Sequence, residues 1–193
     1  MGLEEILLSL HITKKDQTNY AINDLRRSIN RNNVDIALPL IKWTIEKIQL
    51  ALEENTRQKI FTNTNKKSGL PRFVKRGTIY YANLGKNIGS EQNGIVRPIL
   101  VVQNQSYNVS STTVLVIPLT DYLDKNGNPK RLLSTHAEIE HELLEKKSII
   151  KTEHLRSISK NRLKAPICDI GKEKMLEIDN KLRLALGLTI DNT

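Results

Sequence analysis

The segment Arg97-Pro98-Ile99-Leu100-Val101-Val102 decides the fold of this chain, because four consecutive apolar residues follow a proline. Such a run, rich in β-branched side chains, predicts a strand that is covered on both faces. Pro98 cannot donate a ladder hydrogen bond, so we expect it at the first residue of the strand, with Arg97 just outside the sheet. The polar loop Gly89-Ser90-Glu91-Gln92 comes shortly before. The sequence therefore predicts a polar loop and one arginine at the mouth of a buried strand.

Short strands and one closing helix are predicted around this segment. The predicted strands cover residues 74–83, 95–103, 112–119, 135–140, 148–151 and 166–170. Asn126-Gly127 is a strong turn signal between two of them. A helix is predicted over Lys172–Leu186, with Met175, Ile178, Leu182 and Leu186 on one face and Gly187 placed to end it. Short antiparallel strands with one packing helix indicate an α+β fold built on a small barrel.

The N-terminal third has a different pattern. Residues 1–61 predict a helical extension, residues 62–72 a polar linker, and residues 73–193 the strand-rich domain. A stripe of Tyr20 or Ala21, Leu25 and Ile29 predicts an early helix, followed by asparagines expected to act as turn and cap residues, namely Asn30, Asn32 and Asn33. Pro39 must lie near the start of the next helix or kink it.

That next helix carries one long apolar stripe. Its members recur at three- and four-residue spacing, as Val34, Leu38, Ile41, Ile45, Ile48 and Leu52. The stripe is too long to be left in water, so we expect it to pack on its twin in a dimer, on the barrel of its own chain or on a partner. Residues 1–70 hold eleven Lys and Arg against eight Asp and Glu. This balance favours a dimerisation or docking unit over a fused acidic inhibitor.

Charge and cysteine content narrow the class of protein. Thirty Lys and Arg against 21 Asp and Glu give a net charge of +9, which favours a polyanionic partner over a surface of mixed charge. A single cysteine, Cys168, excludes an internal disulfide framework and lies in a short strand pattern typical of the core. Glu4 and Glu5 interrupt the N-terminal apolar run, and no stretch approaches membrane-span length, so we expect a cytoplasmic protein without membrane contact.

Five ordered segments resemble the MazF/PemK family, the ribonuclease toxins of type II toxin–antitoxin pairs. The segments are Val74–Leu84, Gly89–Asn104, Val116–Thr120, Ser134–Ile139 and Glu153–Ile158. Five segments in the same order are specific where one motif would not be. The resemblance implies an SH3-like barrel with a C-terminal helix, a homodimer, a cognate antitoxin, DNA binding together with that antitoxin, and no cofactor or metal.

The resemblance also implies a chemistry. Single-stranded RNA would be cleaved at a short preferred sequence, without a metal, when the 2′-OH attacks the adjacent phosphorus and leaves a 2′,3′-cyclic phosphate and a 5′-OH. Arg97 matches the family's catalytic arginine, and its guanidinium can meet two phosphoryl oxygens. Thr120 matches the catalytic threonine, whose hydroxyl can donate to a phosphate oxygen. Glu91 is expected to accept the 2′ proton or to hold the loop.

The remaining candidates are expected to contact RNA: Ser90, Gln92, Thr135, His136, Glu153, His154, Lys130 and Arg131. Ser90 and Gln92 can donate to and accept from phosphates or base edges, or they form the turn. His136 would line the RNA groove or sit at a strand edge. Lys130 and Arg131 follow the basic hairpin and would supply affinity without choosing a sequence.

Two other functions fit parts of the pattern. A protein-binding toxin of the same barrel, similar to CcdB, would inhibit gyrase and would not need Arg97 and Thr120 together. A catalytically silent RNA-binding regulator is the other alternative, because the connection from Gln92 to Arg97 is one residue longer than is usual in the family.

Overall fold

The computed structural model describes residues 13–64, 73–89, 91–94 and 96–188. The chain divides into two compact units, residues 1–45 and 46–193. Helix α1 covers Lys14–Ser28 and helix α2 covers Val34–Thr64. Among the described residues, no helix is long and apolar enough to cross a bilayer.

The asparagines between the first two helices act as predicted. The Oδ1 atom of Asn33 accepts from the Asn30 amide at 2.8 Å, and the Asn33 carbonyl accepts from the Ala37 amide at 2.8 Å, so Asn33 closes the turn and starts α2. Helix α1 begins with a capping box in which Thr13 and Asp16 exchange hydrogen bonds of 3.2 Å. Pro39 lies in the second turn of α2, near its start as predicted.

Seven antiparallel strands and a closing helix form the part that we call the sheet domain. In chain order they are β1 Thr78–Ala82, β2 Arg97–Val101, β3 Thr113–Asp121, β4 His136–Ile139, β5 Ser148–Lys151, β6 Arg156–Ser159, β7 Leu163–Asp169 and α3 Gly171–Leu186. The order is β4-β5-β3-β2-β1-β7, with β6 paired to β3. The α+β class is confirmed, and the described ladders leave the outer strands β4 and β7 unpaired with each other.

Strand β2 lies at the centre of the sheet and is buried on both faces, as predicted. Ile99 and Val101 belong to one apolar cluster, whereas Leu100 and Val102 belong to another that also contains Ile178 of α3. The prediction that Arg97 lies outside the sheet is wrong by one residue. Arg97 is the first residue of β2 and pairs with Ala82, because β1 extends the ladder one position beyond Pro98.

Three of the four apolar residues predicted to share one face of α3 pack in the core. Met175 and Ile178 are buried and Leu182 packs against them, but Leu186 is exposed at the helix end. Gly187 ends the helix in the left-handed conformation, with φ of 65°. Cys168 lies in the core as predicted, and burial raises the pKa of its thiol.

Candidate active site

Arg97 is held at the edge of a cleft by contacts on two sides. Its Nη1 atom donates to the Gln92 Oε1 atom and, at 3.3 Å, to the Leu119 carbonyl. Burial lowers the pKa of the guanidinium while the nearby Asp121 carboxylate raises it, and an arginine stays protonated throughout the physiological range. The cleft has a volume of about 400 Å³, and Tyr81 lines it together with Arg97 and Asp121. A fixed cation therefore faces a space large enough for a phosphodiester.

Thr120 lies next to this cation and has an unused hydroxyl. It follows Leu119 in β3 and pairs with Ile149 of β5. Its Oγ1 atom is buried and has no hydrogen-bond partner among the residues that the structure describes. Buried hydroxyls are normally paired, so this unpaired one, one residue beyond the carbonyl that accepts from Arg97, makes Thr120 a candidate for contact with a ligand. Ser90, the other predicted hydroxyl, lies outside the described residues.

The loop that carries Gln92 reaches Arg97 because of a glycine. Gly94 and Gly85 exchange backbone hydrogen bonds of 3.0 and 3.1 Å, which fold the loop back on itself. Gly94 has φ of 151°, and a Cβ atom there would lie 3.2 Å from both Cβ and Nε of Arg97. Only glycine therefore allows this approach without displacing Arg97. Gly94 is not among the residues predicted from the sequence, although a glycine three residues before Arg97 is a usable signal.

A second cleft, of about 310 Å³, lies on the other side of the same loop. Glu91, Gln92, Glu153, His154 and Arg156 line it. Arg156 Nη1 donates to the Gln92 backbone carbonyl at 3.4 Å. Gln92 thus connects the two clefts, because its side-chain oxygen accepts from Arg97 and its backbone carbonyl accepts from Arg156. The structure brings Glu91, Gln92, Glu153 and His154 together, and it adds Arg156, which the candidate list had missed.

Glu153 is fixed by a hydrogen-bond network. Thr135 Oγ1 donates to its Oε2 atom at 3.1 Å, and His136 Nε2 lies 2.6 Å from its Oε1 atom. The Leu133 amide donates to His136 Nδ1 at 3.2 Å, so the ring hydrogen is on Nε2 and points at Glu153. Burial alone would raise the pKa of Glu153, but its own backbone amide, His136 and Thr135 together lower it.

The same network corrects the placement of His136. Only 3% of its side chain is exposed, so of the two placements predicted for it, in the RNA groove or at a strand edge, the open groove does not fit. Both ring nitrogens are already used within the protein. The strand-edge alternative fits better, because the ring supports Glu153 from behind.

His154 also lines the second cleft, and its pKa is lowered. Burial lowers its pKa, the Glu153 carboxylate raises it, and Lys151 and His136 lower it, with a net lowering from 6.5. The imidazole is therefore mostly neutral at pH 7 and able to accept a proton.

The basic hairpin after β3 is formed as predicted. Asp124 Oδ1 accepts from the Asn126 and Asn128 amides, and Gly127 has φ of 82°, which closes the turn. Lys130 Nζ donates to the Asp121 carbonyl at 2.7 Å, so its ammonium group lies one residue beyond Thr120. Arg131 is exposed beside it.

Comparison with known proteins decides the family. Residues 75–186 match PemK-like, MazF-like toxins of type II toxin-antitoxin systems, a span of more than half the chain. The chain belongs to this family. A curated relative, Endoribonuclease MazF of Staphylococcus epidermidis, is 41% identical over 118 residues, which cover 60% of this chain and 93% of the relative.

Solved structures of MazF proteins are also similar. One is an endoribonuclease from a mycobacterial species in complex with its cognate antitoxin, with 21% identity, a TM-score of 0.49, and coverage of 61% of this chain and 98% of that one. Another is MazF of Deinococcus radiodurans, with 20% identity, a TM-score of 0.49, and coverage of 60% and 98%. The helices before residue 73 lie outside the span that matches the MazF family.

Proposed function

We propose that this chain is the toxin of a type II toxin–antitoxin pair and that it cleaves single-stranded RNA at a short preferred sequence. One observation carries the proposal. Arg97, a fixed cation, and Thr120, whose hydroxyl has no partner among the described residues, lie at the same end of β2 and β3. A transferring phosphate needs such charge and hydrogen bonds aimed at its oxygens.

In the proposed mechanism the RNA 2′-OH attacks the adjacent phosphorus, and the 5′ oxygen leaves. Arg97 stabilises the charge that develops on the phosphoryl oxygens, and Thr120 donates a hydrogen bond to one of them. Arg97 supplies the positive charge that a divalent ion gives in other nucleases, so we propose that no metal is required. The products are a 2′,3′-cyclic phosphate and a 5′-OH.

Two groups compete for the role of general base. Glu91 is exposed on the loop, and His154 is partly buried in the same cleft with a lowered pKa. His154 is largely neutral at pH 7 because burial lowers its pKa, so its ring can accept the 2′ proton, and we propose it as the base. Glu91 then helps to hold the loop, the second role considered for it.

RNA binding is proposed to involve three sets of residues. Ser90 and Gln92 contact phosphates or base edges. Glu153 presents its carboxylate in the second cleft, where Thr135 donates to it from outside the cleft lining. Lys130 and Arg131 attract the RNA backbone. His136 acts through Glu153.

We further propose partners that follow from the family. The named mycobacterial relative forms a complex with its cognate antitoxin, and this chain is proposed to bind an antitoxin of its own, to bind DNA with it, and to dimerise through its sheet domain in the cytoplasm. The N-terminal extension, 1–61, and the linker, 62–72, are proposed to be additions to the toxin domain.

A substrate with a single 2′-deoxy position tests the proposed reaction. RNA that carries 2′-deoxy at the scissile nucleotide should bind as well as all-RNA but resist cleavage in EDTA, because its nucleophile is missing. Cleavage of the deoxy substrate would refute attack by the 2′-OH. Binding of all-RNA without any cleavage would instead favour the silent RNA-binding regulator.

A further inference from the structure

From Glu46 onward, helix α2 contacts the sheet domain through the carboxylates of Glu46 and Glu54. Asn83 Nδ2 donates to Glu46 Oε1, and Asn161 Nδ2 donates to Glu54 Oε2 at 2.5 Å. Leu50 and Arg57 lie on the same face and are partly buried. This docking face is mixed, because the apolar residues Leu50 and Trp43, which is buried, share it with the polar ones.

Six apolar residues lie on the opposite face. Val34, Leu38, Ile41, Ile45, Ile48 and Leu52, which we call the seam, are spaced 4, 3, 4, 3 and 4 residues apart. At about 100° per residue, all six fall within roughly 40° of one line, which runs opposite the docking face. Five of them are 42–61% exposed, from Val34 to Leu52, and Ile41 is partly exposed. Ile48 and Leu52 are 57% and 61% exposed, so these two seam residues do not pack on the sheet domain.

The spacing of the seam is that of a coiled coil. Alternating steps of three and four residues place apolar side chains at the two inward positions of a heptad, and such a pattern stays in contact with a helix of the same repeat. Among the positions that flank the seam, Ala37, Thr44 and Ala51 are small and uncharged. Small residues on this flank let a second helix approach closely, whereas the other flank carries Asp35, Lys42 and Gln49.

We propose that the seam binds the seam of a second copy of this chain. A symmetric pair requires a patch that is complementary to itself, and an uncharged apolar heptad stripe meets that condition. If each exposed side chain loses about 100 Å², two copies bury on the order of 1,000 Å² in total, near the lower limit for a stable interface. The contact is separate from the dimer proposed for the sheet domain, so it would add a second point of self-association.

Molar mass in solution tests the proposal with the full chain. Sedimentation or light scattering at micromolar concentration should give at least a dimer for the wild type. Ile45→Glu places a charge in the seam and should halve the mass or, if the sheet domains hold the same two copies together, raise the concentration at which the dimer dissociates by about tenfold or more. Ile36→Glu is the matched control, because Ile36 is 64% exposed on the same helix but off the seam, and its mass should equal that of the wild type.

A milder double variant, Ile45→Ala with Ile48→Ala, keeps good helix formers and should also lower the mass if the glutamate variant fails to fold. Circular dichroism should show retained helix in each variant that is compared. An unchanged mass together with an unchanged dissociation concentration in folded seam variants would overturn the proposal. Unchanged mass together with lost binding to the antitoxin would overturn it as well and would assign the seam to the antitoxin.

Discussion

The hydrogen bonds that fix Glu153 predict a specific loss of stability in Glu153→Gln. The substitution keeps the shape of the side chain but removes the charge that accepts from His136 at 2.6 Å and Thr135 at 3.1 Å. Hydrogen bonds to a charged group contribute about 1.5–3 kcal/mol, against roughly 0.5–1.5 kcal/mol for neutral ones. Because Glu153 is 36% exposed, we take the lower part of the difference, about 1 kcal/mol, which corresponds to a melting temperature lower by about 2–4 °C in a chain of this size.

The pH dependence of this loss follows from the direction of the Glu153 pKa. The folded-state pKa is lowered from 4.5, so the carboxylate stabilises the fold fully above pH 4.5 and progressively less as the pH falls through the folded value. The difference between wild type and Glu153→Gln should therefore be complete at pH 7 and should narrow below pH 4.5. Thermal melts from pH 7 to pH 3.5 measure it.

Glu140→Gln is the control for this experiment, because it makes the same change at an exposed site and should alter stability by less than about 0.5 kcal/mol. A deficit in Glu153→Gln that is equal at pH 7 and pH 3.5 would refute the reasoning, since it would not depend on the carboxylate charge.

Three further predictions concern catalysis and RNA binding. Gly94→Ala should lower the cleavage rate at least about tenfold by displacing Arg97. Gly171→Ala is the control and should leave the rate unchanged, because Gly171 also has positive φ but open space around it. Equal rates in the two variants would contradict the steric argument. The wild-type cleavage rate should fall as the pH drops below 6.5, because His154 has a lowered pKa and accepts a proton only while it is neutral. His154→Asn should lose this fall in rate at low pH. A fall that persists in the variant would exclude His154 as the base. Arg131→Ala should weaken binding equally for different RNA sequences and should reduce the salt dependence by a slope of about 0.7, and a sequence-dependent loss would indicate base contact instead.

The elements that sequence predicted well are those whose signal is local. The run after Pro98 predicted a doubly covered strand because four apolar residues leave no solvent face, and Asn126-Gly127 predicted its turn because few residues accept positive φ. Arg97 and Thr120 could be chosen because each lies in a segment that resembles the family.

The features that the sequence did not predict depend on contacts between residues that are distant in the chain. Strand β6 has the polar sequence Arg156-Ser157-Ile158-Ser159, and only its pairing with β3 makes it a strand. The approach of Gly94 to Arg97 and the burial of His136 likewise exist only in the folded chain. Periodicity identified the apolar stripe of α2 correctly, but it could not reveal that Glu46 and Glu54 on the other side of the helix bind the sheet domain.

The account's central claim is that Arg97 and Thr120 stabilise the transition state of RNA cleavage. The most direct measurement is the single-turnover cleavage rate of a single-stranded RNA in EDTA at saturating enzyme, with analysis of the product ends. Arg97→Ala and Thr120→Ala should each lower the rate by about 10²-fold or more while the fold stays intact, and the products should end in 2′,3′-cyclic phosphate and 5′-OH. Near-normal turnover in either variant, or activity that requires a divalent ion, would contradict the account.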